Sequence, residues 1–210
     1  YLNMILADGN GRIRLSLLPR VTQLEQEEHD LLQQVVATKK AVLGDFFYCR
    51  NCRRIHINAA APVFDGDRVA LVLLLVADPQ RDLYPMIQSW PTAHGNAESL
   101  LVRRDGENAL LLNQPRHRSF NGLSFRYPLS NTASPAVQAV LGATGVVRGI
   151  DYRDVKVLAN VNHIPETNWF MITKLDFHEI AAQAQYRTGG IMLLVRSEER
   201  RVGKECRSRW

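Results

Sequence analysis

At 210 residues with 46% hydrophobic side chains, the chain can bury one medium core or two small ones, which excludes a disordered or fibrous protein. The formal charge of +5 invites a nucleic-acid reading, yet six of the 26 basic and three of the 21 acidic residues fall in Arg196 to Trp210, and without them the net charge is about +2. The body is nearly neutral, so charge gives no reason to expect a nucleic-acid partner.

Leu2 to Leu6 and Ile13 to Leu17 are short apolar runs around Asp8-Gly9-Asn10-Gly11, residues that tolerate positive φ and close a tight hairpin turn. Thr22 and Glu25 fit a T-x-x-E capping box ahead of a helix with Leu24, Leu31, Leu32 and Val35 on one face, ending near Lys39 and Lys40. The acidic run Glu25 to Glu28 reads as its solvated face. Strand patterning resumes from Ala41 to Phe64, with Cys49-Arg50-Asn51-Cys52 at the tip between Phe46-Phe47-Tyr48 and the alternation that starts at Ile55. Asp65-Gly66-Asp67 turns into Val69 to Val76, a nearly continuous apolar strand that belongs at the centre of its sheet. Asp78 and Pro79 read as N-cap and first residue of a helix through Leu83 and Ile87, which Pro85 shortens.

The second half repeats this grammar. Ser99 to Arg103, the Asp105-Gly106 turn and Ala109 to Leu112 form a hairpin, a loop region follows, and Ser134-Pro135 caps a helix that ends at Gly142. Gly149 to Glu179 then holds a complete two-strand unit, with Val155 to Val161 and Trp169 to Leu175 flanking a turn at Pro165 to Asn168, and with Asp176 and Glu179 as a capping box for an exit helix. The hairpin turns begin 97 residues apart, at Asp8 and Asp105, and the strand-to-helix caps 98 apart, at Asp78 and Asp176. Two anchors at one offset imply a duplicated α+β unit.

The ends of the sequence are unlike the rest. Tyr1 is not an initiator and the chain opens inside a strand pattern, so a fragment is expected. Residues 196-210 have no apolar period and follow an abruptly cut hydrophobic run, which marks them as a non-native tail; a basic juxtamembrane segment is the alternative.

Strand, Asp-Gly turn, strand, helix, three-stranded meander and exit helix is the order of a PAS-like Cache unit, and two in series resemble a double Cache sensor. The resemblance spans Leu2 to about Arg187. Its most specific words are Leu101-Val102-Arg103-Arg104-Asp105-Gly106 with Leu111-Leu112-Asn113, Asp151-Tyr152 before Val157-Leu158-Ala159, and Pro165 and Trp169 before Lys174-Leu175-Asp176. Asp154 departs from it, since similar sequences often have Gly there.

The resemblance implies an α+β fold of two tandem PAS-like units, residues 1-90 membrane-distal and 91-187 membrane-proximal, with 188-195 as the start of a truncated transmembrane helix too short by itself to span. It implies the extracytoplasmic, periplasmic sensor region of an inner-membrane signalling protein that works as a homodimer, non-enzymatic in itself. The absent output is of histidine kinase type, with a diguanylate cyclase or phosphodiesterase as the alternative. The partner is a small-molecule ligand of unknown identity held in the distal unit. The aromatic and Arg-rich pattern of amino-acid-binding members is not evident, so that ligand class is not transferred.

In PAS-like folds Arg54, His56, Asn58 and Asp78 lie near the concave face of the sheet where ligands sit, with Tyr48 at its lid; alternate solvent-facing positions are the plain reading of His56 and Asn58. Asp151 and Tyr152 are candidates for a second pocket, and Trp169 for core packing. Cys49 and Cys52 fit a redox motif, half a zinc site or a hairpin-tip disulfide; strand patterns on both sides disfavour the first, and zinc would need added ligands such as His56 or His29. In an oxidising compartment a disulfide or two free thiols is the simpler reading. No catalytic motif, metal motif or phosphate loop has the required spacing, so neither catalysis nor a cofactor is called for. Arg116-His117-Arg118 reads as a solvated basic loop.

Overall fold

The computed structural model describes residues 2–50, 52–89, 97–118 and 123–180. The expected membrane-helix start at 188-195 and the tail at 196-210 lie outside these residues. Among the described residues no helix is long and apolar enough to cross a membrane.

The first sheet consists of β1 (Asn3–Asp8), β2 (Ile13–Ser16), β3 (Val42–Cys49), β4 (Arg54–Asp65) and β5 (Arg68–Ala77), all antiparallel, in the order β2-β1-β5-β4-β3. The expected Asp8 turn forms. Asp8 Oδ1 accepts from the amides of Asn10 and Arg12, and Gly11 takes φ +81°, a conformation that favours glycine. β5 is central because Val72, Leu74 and Val76 are buried, and α1 (Gln26–Thr38) covers that face with Leu31, Leu32 and Val35. Each such side chain removed from water contributes on the order of 1.5–3 kcal/mol.

The second sheet consists of β6 (Glu98–Asp105), β7 (Asn108–Leu111), β8 (Arg126–Pro128), β9 (Gly145–Ile150), β10 (Lys156–His163) and β11 (Trp169–Asp176), in the order β8-β7-β6-β11-β10-β9. Without the edge strand β8, this is the order of the first sheet. The repeat seen in the turn spacing is therefore a repeat of topology, and the architecture is α+β with two tandem PAS-like units. α3 (Pro135–Val140) begins where expected, with Ser134 Oγ accepting from the Ala136 amide at 3.3 Å, and covers the second core.

Helix starts differ from the sequence expectation in two places. α1 begins at Gln26, with Glu25 and Glu28 forming the capping box in place of Thr22 and Glu25, because Glu28 turns inward and accepts from the Glu25 amide. Asp78 accepts from the Gln80 amide in a local turn, and α2 (Leu83–Gln88) starts only after Asp82. Pro85 fits there because amides of a first helical turn have no intrahelical partner. Strand β8 had no counterpart in the sequence reading, whereas β9, ahead of the two-strand stretch, completes with β10 and β11 the three-stranded meander that the resemblance implies. Asp154, in the turn before β10, has φ 61°, the left-handed region that its resemblance to a glycine position suggested.

The two sheets join through a shared apolar cluster. Phe46 and Ile55 of the first unit and Tyr84 and Ile87 of α2 meet Leu101, Leu110, Leu112 and Trp169 of the second. Trp169 packs on Phe46 with ring centroids 4.8 Å apart, and its Nε1 donates to Asp45 Oδ1 at 2.8 Å, while Arg103 Nε lies 3.2 Å from Asp45 Oδ2. Trp169 is a core residue, as expected, but of the junction between the sheets rather than of one unit.

Candidate functional site

Strand alternation decides which residues of the first unit can meet a ligand. In β4, Ile55 points into the inter-sheet cluster, so His56, Asn58 and Ala60 point toward α1. His56 and Asn58 are buried, 5% and 2% exposed, and not on the solvent-facing positions of the plain reading. In β3 the pleat places Cys49 on the α1 side and Tyr48 on the other, half exposed.

Cys49 and His56 border a cavity of about 580 Å³ between the N-terminal end of α1, the loop before it, β1 and the start of β4. Its polar lining includes Arg20, Glu25, Glu28, Arg54 and His56, and the Cys49–Cys52 pair lies at its edge as a disulfide with Cα atoms 5.5 Å apart. Apolar walls with a few convergent polar groups are the usual make-up of a small-molecule site. Of the residues singled out in the sequence, Arg54 and His56 line this cavity. Asn58 stands behind it, donating from Nδ2 to Glu28 Oε1 at 3.3 Å. Asp78 sits 3.7 Å from the Arg54 guanidinium without lining it, and Tyr48 is turned away.

Glu28 is the residue that sequence reasoning placed wrongly. It was expected on a solvated face, yet it is 5% exposed and lies in the cavity wall. Burial raises its pKa above the usual carboxylate value, against the lowering effect of the bonds from the Glu25 amide and Asn58. The signal was present in the spacing, because Glu28, Leu31, Leu32 and Val35 follow i, i+3, i+4, i+7 and share the apolar stripe. Burial also lowers the pKa of His56, only partly opposed by Asp78 and Glu25, so its imidazole is neutral at pH 7. Its Nε2 and the Oδ1 of Asn58 have no hydrogen-bond partner among the described residues. Buried polar atoms without partners are uncommon and costly, which makes this wall receptive to a ligand.

Asp151 and Tyr152 come together in the second unit, but around a side chain of the protein itself. Lys174, 2% exposed, places Nζ 2.6 Å from Asp151 Oδ2 and 2.9 Å from Glu98 Oε2, and 4.8 Å from the Tyr152 ring centroid. Tyr152 Oη donates to Glu98 Oε2 at 2.9 Å, and Arg153 bridges Asp151 and Asp176. Burial pushes the Asp151 carboxyl up, but donors from Lys174 and Arg153 outweigh it and hold the pKa below the usual range. Asp176 accepts from Arg153, and helical residues begin directly after it at 177, where the sequence placed the start of the exit helix. The Arg116-His117-Arg118 loop is not simply solvated either: the Arg116 amide donates to Glu98 and the His117 amide to Tyr152 Oη.

Neither a protein-family model nor a curated protein matches the chain. Solved structures do. The ligand-binding domain of the Pseudomonas aeruginosa amino acid chemoreceptor PctB, in complex with L-Arg, matches with a TM-score of 0.62 at 14% identity over 90% of this chain and 72% of that one. The fold is that of a double Cache domain. An extracellular ligand binding receptor from Desulfohalobium retbaense matches with a TM-score of 0.55 at 17% identity, over 82% of this chain, which spans 30% of that receptor. The extracellular domain of mmHK1S-Z3, a protein described as a histidine kinase, matches with a TM-score of 0.57 at 14% identity over 78% of this chain and 59% of that one. At these identities the double Cache likeness is one of fold, and the cavity in the first sheet has to speak for its own chemistry.

Proposed function

We propose that the chain is the extracytoplasmic ligand-sensing region of a transmembrane signal-transduction protein, of histidine kinase type, anchored in the inner membrane and facing the periplasm. Residues 1-90 form the membrane-distal unit that holds the ligand, and 91-187 the membrane-proximal unit that passes the change onward. The observation that carries this reading is the cavity of about 580 Å³ with His56 at its wall, whose buried Nε2 has no hydrogen-bond partner among the described residues. The solved neighbours add support, since they include an amino acid chemoreceptor domain bound to L-Arg.

The ligand is a small polar molecule. Glu25 and Glu28 offer anionic acceptors to a donating or cationic group, and Arg20 and Arg54 offer cations to an anionic one. A ligand shifts the protein only by the difference in its affinity for two arrangements, and the arrangement it would favour here is one that closes α1 and the preceding loop onto β4. The second unit, with Lys174 between Asp151, Glu98 and Tyr152, acts as a rigid transmitter. Thermal shift of the full chain against a panel of polar metabolites tests the reading. Ligand at 100 times its Kd stabilises by about 2.7 kcal/mol. The expected result is at least one hit that Arg54→Ala or His56→Ala weakens; absence of any hit, or a hit indifferent to both substitutions, overturns it.

A further inference from the structure

We propose that Cys49, Cys52, His56 and Glu25 form a thiolate metal site for a zinc-class divalent cation when the Cys49–Cys52 disulfide is reduced. A ligating atom from each of Cys49, Cys52 and His56 lies within 4.8 Å of the others, a separation that small side-chain adjustments close to a tetrahedral centre. Glu25 Oε1 lies 3.6 Å from Cys49 Sγ and supplies the fourth position. All four residues face the same cavity.

Two further observations point to a ligand here. His56 is 5% exposed and its Nε2 has no hydrogen-bond partner among the described residues, while its ring is held edge-on to Phe47, with centroids 5.7 Å apart at 87°. A buried imidazole nitrogen that is held in place and unsatisfied among the described residues is available to a metal. Second, the Cys52 amide donates to Cys49 Sγ at 3.1 Å across a turn in which Arg53 takes φ 55°. Such a turn brings a backbone donor to a sulfur that must carry charge as thiolate, the kind of outer-shell support that holds metal ligands in place.

The disulfide and the metal are mutually exclusive occupants of the same sulfurs. A dithiol reductant gives two electrons and two protons to the S–S bond, which breaks into two thiols while the reductant becomes a disulfide. Metal binding then releases both thiol protons to solvent as the thiolates form their bonds. Cys52 is exposed, so an external dithiol can reach the bond. The inference goes beyond the sensing of a small molecule and does not depend on it: run with the disulfide intact and a chelator added, the metabolite screen fails or succeeds independently of metal binding.

The test compares oxidised and reduced full chain in anaerobic titrations with Co2+ as a spectroscopic probe, then Zn2+ in competition. The expected result is one equivalent bound by the reduced chain, with a thiolate-to-cobalt charge-transfer band and tetrahedral d–d bands, and none by the oxidised chain. His56→Ala should weaken reduced-state affinity by at least about tenfold. The oxidised-against-reduced comparison on the unaltered chain needs no variant and stands if His56→Ala does not fold. A reduced chain that binds no cobalt, binds it without a thiolate band, or binds it equally well after His56→Ala overturns the proposal.

Discussion

Replacing Lys174 by Met keeps the length and most of the volume of the side chain but removes the ammonium that joins Asp151 and Glu98. Both carboxylates are buried, 6% and 4% exposed, and lie 2.6 and 2.9 Å from Nζ. Removing one partner of a buried ion pair costs about 3–5 kcal/mol, mainly because a charge is left in a poorly solvated place. Arg153 still holds Asp151, and Tyr152 still donates to Glu98, so the lower end of about 3 kcal/mol is expected. At a urea slope of about 2 kcal/mol/M this moves the unfolding midpoint down by about 1.5 M. The loss also depends on pH in a definite sense. The lowered pKa of Asp151 gives stability that is present above its unfolded pKa and lost as pH falls through the folded one. The difference between wild type and Lys174→Met is therefore largest at neutral pH and shrinks on acidification. Glu98→Gln added to Lys174→Met should recover part of the loss, since it removes an unpaired charge. A midpoint shift below about 0.3 M at pH 7, or no recovery in the double variant, would refute the account of this network.

Glu28→Gln should flatten the pH dependence of stability. A carboxyl whose pKa is raised on folding favours the folded state below its unfolded pKa and costs stability as pH rises through the folded one, so the variant gains relative to wild type above the usual carboxylate range, read by urea midpoints across pH. Trp169→Phe removes the Nε1 donor to Asp45 at the junction of the sheets and should cost about 1–2 kcal/mol by chemical unfolding, while Arg103→Lys beside it, which ends the Arg103 Nε contact with Asp45, should cost less. Gly149→Ala on β9 should cost about 1–3 kcal/mol in thermal melts, because its Cβ would stand 2.5 Å from Ala133 O and 2.6 Å from Pro135 Cδ.

Local chemistry was readable in the sequence wherever it was also decisive in the fold. The Asp8, Asp65 and Asp105 turns and the Ser134 cap follow from residues within five positions of each other, and their spacing exposed the repeat later seen in the sheet order. Lys174 and Glu28 were less legible because a charged side chain in an apolar pattern has two meanings. On β11, Trp169, Ile172, Lys174 and Asp176 are buried, and it takes Glu98 and Asp151, far away in the chain, to make Lys174 tolerable there. On α1, Glu28 occupies a stripe position, and its inward turn depends on Asn58 of β4. The short strand β8 owes its existence to pairing with β7 rather than to its own three residues. Arg54 and His56 were identified from the resemblance, whereas the Glu25 and Glu28 side of the cavity required the helix to be placed over the sheet.

Amide hydrogen exchange on the full chain, with and without the strongest stabilising metabolite, tests the central claim most directly. Increased protection is expected in residues 20–32 and 54–58, around the cavity, with a smaller change across the Asp45 and Trp169 junction. Protection centred instead on 98–103 and 151–153, with the cavity of the first sheet unaffected, would contradict a ligand site in the membrane-distal unit.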